Sequence, residues 1–270
     1  GDTLLSDGRY TTQIEQECPG LDVVIRGPKV RLVDAVARLV RSAGVGRLAF
    51  EADSLTVGQC DQFREKLPKV AFLSTSGLVA ELRIRKDRDE VTRISRAIRC
   101  AEEAFSAVCR GLSPEKTEKQ VADELDFAMR QRGAQCAAFP PIVAAGERAA
   151  LPHAPVTASA IGETGFVLMD WGARVDLYVS DLTRVVIRGK LSAKLRRVYS
   201  VVLQAQQKAI EAIRPGIVAQ EVDAVARGII ADAGFGRRFG HGLGHGIGLA
   251  VHEAPRLASS VETVLQPGWW

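Results

Sequence analysis

Three of the four histidines of this chain fall in one short stretch, HGLGHGIGLAVHE, residues 241–253. His241 and His245 are four residues apart and His252 follows seven later. Imidazoles gathered in this way suit metal ligation or proton transfer near neutral pH. The glycines among them, Gly240, Gly242, Gly244, Gly246 and Gly248, exclude a stable helix, so the stretch is not a helical H-x-x-x-H zinc site. They predict instead an extended, bulged backbone that passes close to another group or to a ligand. A phosphate-binding loop fits poorly, because the Lys-Ser/Thr pair and the helix that would follow it are missing. The fourth histidine, His153, lies apart in ALPHAP.

A second constellation is acidic. VLMDWGARVDLYVSDLTRVVI, residues 167–187, reads as two strands joined by a turn. A turn centred on Val175-Asp176 would set Asp170 directly opposite Asp181, with Cβ atoms ~5 Å apart on one face. Two carboxylates so placed repel, and a shared proton, a basic neighbour or a bound cation must relieve them. One acid and one nucleophile at that separation could also serve a retaining glycosidase, but that chemistry leaves the histidines idle.

These residues need a scaffold, and the apolar periodicity supplies one. Ile94, Ile98, Ala101, Phe105 and Val108 recur at helical spacing behind the charged run RIRKDRDE, which predicts a long helix. Thr117 and Gln120 can form a capping box for a second helix that Gly133 stops. Ser192 is a candidate N-cap for a third, and a fourth would place Val218, Val222, Val225 and Ile229 on one face. Residues 1–82 alternate strand-like and helix-like segments, including a helical run from Lys29 to Ala43, RLAF, a helical stretch from Gln59 to Lys66, and VAFLS. That alternation predicts a smaller α/β domain, with the boundary near residue 82. The suspicious polar residues all fall in the β-rich pieces between the helices.

The 270 residues, 46% of them hydrophobic, are enough for a full core, and the net charge of +4 demands neither nucleic acid nor a membrane surface. No apolar run approaches the ~20 residues needed to span a bilayer. Cys18, Cys60, Cys100, Cys109 and Cys136 show no paired or metal-ligand spacing, which favours reduced thiols and a cytoplasmic setting.

Together, FPPIVAAGERAALPHAPVT, MDWGARVDLYVSDLTRVV and HGLGHGIGLAVHEAPRL resemble the pita-bread-fold (creatinase-fold) metallopeptidases, especially the Xaa-Pro dipeptidases, or prolidases, and the Xaa-Pro aminopeptidases. The resemblance spans residues 83–270, and LLSDGRYTTQ is similar to the later part of the amino-terminal domain of the proline-specific members. It implies an α+β pita-bread catalytic domain preceded by part of a smaller α/β domain. It also implies a site of two divalent cations, with manganese first and cobalt or zinc as alternatives, held by Asp170, Asp181 and His245. A hydroxide bridging those ions would attack an Xaa-Pro peptide bond. His153, His241 and His252 are similar to family histidines that line the substrate pocket, and Thr183 would steady Asp181. The family completes its metal set with two glutamates beyond an L-x-P-G turn, and this sequence ends within such a turn, LQPG. The expectation is therefore a chain cut at both ends that carries three of the family's five ligands, with the activity of the fragment itself left open. The alternatives are a non-catalytic pita-bread binding protein and a metal-free amidinohydrolase resembling creatinase. A homodimer is implied by the resemblance alone.

Overall fold

The computed structural model describes residues 2–162 and 165–269, which fall into two compact units, one up to Val79 and one from Ala80. The first unit alternates β1 (Thr3–Asp7), α1 (Thr11–Glu17), β2 (Asp22–Arg26), α2 (Leu32–Ser42), β3 (Arg47–Glu51), α3 (Val57–Lys66) and β4 (Ala71–Thr75). β1 pairs in parallel with β2, and β3 with β4, as strands joined by crossover helices must. Ala37, Val40 and Leu67 form its buried centre, with Leu48, Val70 and Phe72 packed on them. The SDGRY turn after β1 is held by charge. Asp7 accepts from the Arg9 side chain at 2.9 and 3.0 Å and from Arg26 at 2.8 Å. Arg9, more than Arg26, holds the Asp7 carboxyl down at about 2.

A short helix, α4 (Leu78–Ile84), runs through the point where the two units divide. The second unit then opens on α5 (Arg88–Arg110), which starts at a capping box between Asp87 and Glu90. Its inner face buries Ile94, Ala97, Ala101, Ala104 and Val108. Ile98 and Phe105, expected on that face, lie at its margin, and the Phe105 ring stacks on Trp171 at 4.5 Å. The next helix, α6 (Glu118–Gln131), begins at Thr117 with the expected box, in which the Thr117 hydroxyl accepts from Gln120 N–H while the Gln120 side chain accepts from Thr117 N–H. Gly133 ends it at φ +98°, a conformation that Gly adopts without steric cost.

The strands beneath are β5 (Cys136–Ala137), β6 (Ile142–Ala145), β7 (Phe166–Trp171), β8 (Ala173–Val175), β9 (Tyr178–Val179) and β10 (Leu182–Ile187). β7 lies between β6 and β10, and β8 between β5 and β9, all antiparallel. β7 alternates partly and fully buried positions, which sends Val167, Met169 and Trp171 into the core under α5 and α6. Asp170 takes the other face.

α7 (Ala193–Ala212) starts at Ser192, whose hydroxyl accepts from Leu195 N–H. It packs on α8 (Ala219–Asp232), and β11 (Gly244–Gly246) pairs with β12 (Glu253–Leu257) beyond. The buried face of α8 differs from the expected one. Val218 is the N-cap, and Ala219, Val222, Asp223, Ala226 and Ile230 turn inward. The face is rotated because a carboxylate is part of it: Asp223 is fully buried and ion-paired with Arg227 at 2.7 Å. Among the described residues no helix is long and apolar enough to cross a membrane.

Candidate metal centre

The turn of the acidic hairpin is Asp176-Leu177, one residue later than the sequence suggests. Arg174 pairs with Val179 and Val175 with Tyr178, and both turn residues have positive φ, 49° and 72°. That is the left-handed pair that a two-residue hairpin requires, normally met by Asn-Gly. Leucine is a poor occupant, but its backbone is held at both ends. Leu177 N–H donates to the Gln135 side chain at 3.0 Å, and Arg174 donates to Leu177 C=O at 2.8 Å.

The later turn shifts the register by two residues. Thr183, not Asp181, stands opposite Asp170, and Asp181 is its diagonal neighbour on the same face. The expected face survives because the shift is an even number of residues. Thr183 therefore serves Asp170, to which it hydrogen-bonds, and not Asp181. At Gly172 and Ser180 the two strands pinch together. A Cβ on Gly172 would stand 1.9 Å from Ser180 C=O, so this glycine is needed for the close approach. The buried Ser180 hydroxyl bonds Ala173 N–H and Ala97 C=O at 2.9 and 3.1 Å, fixing the strand just before Asp181.

Burial, and then the charge of Asp181, push the Asp170 carboxyl up to about 6, against Thr183, His153 and His245, which lower it. Burial likewise raises Asp181, opposed by His245 and His252. His245 Nε2 lies 3.6 Å from Asp181 Oδ2, and its Nδ1 lies 3.1 Å from Gly246 C=O. A proton on Nδ1 would leave the Nε2 lone pair facing the carboxylates. The His252 ring lies 4.3 Å from that of His245. His153 is exposed on the loop after β6. His241 is turned elsewhere: its Nδ1 contacts Gly242 C=O at 2.7 Å and its ring meets the Phe239 edge at 4.9 Å.

The glycine-rich stretch is extended and carries a bulge between His245 and Gly246. Close approach is the reason for two of its glycines. A Cβ on Gly242 would stand 3.0 Å from Leu257 C=O, and one on Gly248 would stand 2.6 Å from Glu253 Oε2. Glu253 gathers Ala250 N–H at 2.9 Å, Lys86 at 3.0 Å and Arg83, while Val179 N–H donates to Gly248 C=O at 2.9 Å. The histidine loop is thereby attached two residues upstream of Asp181.

The chemistry of the donors suits a divalent cation. Among the described residues Asp170 Oδ1 is buried without a hydrogen-bond partner, an arrangement that is costly unless something else satisfies it. Among the described residues, no three His, Cys, Asp or Glu side chains already converge tightly enough to surround an ion. The fit rests on donor type and a shared face. Sequence reading missed three polar groups here. Arg256 is paired directly with His245 across β11 and β12 and shares its face, which strand alternation could have revealed. Asp223 accepts Leu243 N–H at 3.1 Å, and Arg227 bonds His241 C=O at 2.9 Å. Nothing in sequence distinguishes Asp223 or Glu118 from solvated helix acids.

Residues 92–269 match metallopeptidase family M24, and residues 1–85 match the creatinase/prolidase N-terminal domain. The chain is 35% identical over 259 residues to an Xaa-Pro dipeptidase of Pyrococcus horikoshii, covering 96% of this chain and 73% of that protein. It is also similar to the structure of the Xaa-Pro dipeptidase from Bacillus anthracis, with a TM-score of 0.94, 39% identity, and 98% and 74% of the two chains covered. For the X-Pro aminopeptidase from Thermotoga maritima the corresponding values are 0.91, 32%, 99% and 75%. This chain belongs to metallopeptidase family M24: a creatinase/prolidase N-terminal domain followed by a pita-bread metallopeptidase domain.

Proposed function

We propose that the chain hydrolyses the peptide bond ahead of proline. Asp170, Asp181 and His245 would hold two divalent cations, and the excess of carboxylate oxygen favours manganese over cobalt or zinc. Bound there, the cations would supply a water activated for attack and polarise the scissile carbonyl. The observation that carries this reading is the buried Asp170 Oδ1, without a hydrogen-bond partner among the described residues, beside Asp181, with His245 Nε2 3.6 Å from the second acid.

The protein's own residues do the rest. His252, against His245, and His153, one of the groups that lower the Asp170 carboxyl, would hydrogen-bond the substrate carbonyl. They would also carry a proton to the leaving imino nitrogen, which must accept one as the bond to proline breaks. His241 belongs to the pocket wall in this reading, although its present contacts are with Phe239 and Gly242. Arg256, on the face of His245, offers a guanidinium fork suited to a substrate carboxylate. The similarity to Xaa-Pro dipeptidases and to an X-Pro aminopeptidase supports the specificity. We further place the domain boundary near residue 82, the protein in the cytoplasm, where the free thiols would stay reduced, and its active form as a homodimer.

The test combines metal analysis with turnover. The folded chain is loaded with manganese, cobalt or zinc, bound metal is counted, and hydrolysis of an Xaa-Pro dipeptide is compared with that of a longer peptide with proline second. Metal uptake with cleavage before proline is expected. A well-folded protein that takes up none of the three metals would refute the reading.

A further inference from the structure

The segment that carries His153 has no regular strand or long helix to hold it: it is a 3-10 turn, Gly146–Ala150, followed by irregular chain to Thr157. Its order comes from one buried carboxylate. Glu118, the first residue of α6, has a side chain 1% exposed. Its Oε1 accepts from Ala145 N–H at 3.1 Å and from Arg148 Nε at 3.1 Å. Its Oε2 accepts from Thr157 N–H at 3.0 Å, from the Thr157 hydroxyl at 2.7 Å and from Arg148 Nε at 3.1 Å. Ala145 and Thr157 are the two ends of the segment, so one carboxylate closes it. Arg148 adds a tie inside, donating from Nη2 to Pro155 C=O, and Ala154, beside His153, is buried at 1%. The backbone of α6 repeats the attachment, since Glu118 and Lys119 N–H donate to Ser159 and Thr157 C=O at 3.0 Å each.

Burial would raise the Glu118 carboxyl, but the donors, led by Ala145 N–H and followed by the Thr157 hydroxyl and Arg148, outweigh it and hold the group below its ordinary range. It is a fixed charge satisfied from several sides, with no free edge for a ligand. A buried charge-assisted cluster of this kind fixes geometry, since loss of the acceptor leaves its buried donors unsatisfied.

We propose that Glu118 is the positioning residue that closes the 145–157 segment and presents His153 to Asp170. The inference rests on the reading of His153 as a residue of the substrate pocket. The side-chain partners of Glu118 are Ala145, Arg148 and Thr157, not the residues proposed to hold the cations, so its influence passes through the segment and not through cation affinity.

The experiment compares E118Q, R148M, H153A and the double variant E118Q/H153A in the full chain. Backbone hydrogen exchange over residues 146–156 is measured with manganese affinity, kcat and KM for an Xaa-Pro dipeptide. Expected are faster exchange confined to 146–156 in E118Q and R148M, unchanged manganese affinity, and kcat/KM lower by about tenfold to hundredfold in E118Q. In the H153A background E118Q should add no loss beyond about twofold, because both changes remove the same function. Wild-type exchange in both variants would overturn the proposal, as would fully additive losses. Should E118Q fail to fold, R148M, whose side chain is one third exposed, carries the same comparison. A wild-type chain that neither cleaves nor binds the dipeptide would end the Xaa-Pro reading, while exchange over 146–156 would still decide whether Glu118 orders the segment.

Discussion

Thr183 faces Asp170 across the β7–β10 pair, and its hydrogen bond is one of the influences holding the Asp170 carboxyl down while burial and Asp181 push it up. A strand threonine thus becomes a neighbour that favours the charged form of the acid on which the site depends. Replacing it with valine keeps the shape and removes the hydroxyl. T183V should raise the Asp170 pKa further and weaken manganese binding at neutral pH by about tenfold, with little change in thermal stability. Calorimetric titration with manganese checks this, and wild-type affinity in T183V would show that the hydroxyl is mere strand packing.

Cation binding should be strongly pH-dependent. The metal-free Asp170 carboxyl titrates at about 6, well above an ordinary aspartate, so below that pH the site holds a proton that an arriving cation must displace. Affinity is therefore expected to be full above pH 7 and to fall as the pH drops through 6 toward 5. Titrations at pH 6 in two buffers of different ionisation enthalpy should also reveal proton release. An affinity that is flat from pH 5 to pH 7.5 would contradict the burial and repulsion assigned to Asp170.

Glu253 and Lys86 supply a stability test away from the acids. Their side chains are 7% and 2% exposed and 3.0 Å apart. Neutralising Glu253 leaves the Lys86 charge buried and unpaired, at a cost of about 3–5 kcal/mol, so E253Q should unfold at markedly lower urea, while K86M, in which Arg83 still pairs with Glu253, should lose less. The Glu253 carboxyl is held below its ordinary range by Ala250 N–H, Arg83 and Lys86, against the opposing effect of burial. A folded pKa below the unfolded one gives stability that is present above the unfolded glutamate value of about 4.3 and lost as the pH falls below it. The gap between wild type and E253Q should accordingly be wide at pH 7 and narrow at pH 3.5. Equal gaps at both would place the role of Glu253 in packing alone.

How far the sequence foretold this arrangement differs element by element. Helix limits were legible where caps announce them, at Thr117, Gly133 and Ser192. The extended course of the histidine stretch followed from its glycines. The hairpin register was not legible, because the chain sets its turn on Asp176-Leu177 in the left-handed region, where leucine gives no signal. The shared face of Asp170 and Asp181 could still be read, since an even shift preserves alternation. The inward face of α8 departs from the apolar spacing because a charged residue, Asp223, occupies it, made tolerable by Arg227 and by Leu243 N–H. Glu118 was invisible for a related reason. An acid in the first turn of a helix is ordinarily a solvated partner of the helix dipole, and only the folded chain shows five contacts from Ala145, Arg148 and Thr157 converging on it.

The most direct test of the whole account is manganese titration, followed by calorimetry, of the wild-type chain and of D170N, D181N and H245A. Saturable binding is expected in the wild type, with a loss of at least about tenfold in each variant and retained helical content. Undiminished manganese affinity in all three folded variants would contradict the claim that these two aspartates and this histidine hold the metal.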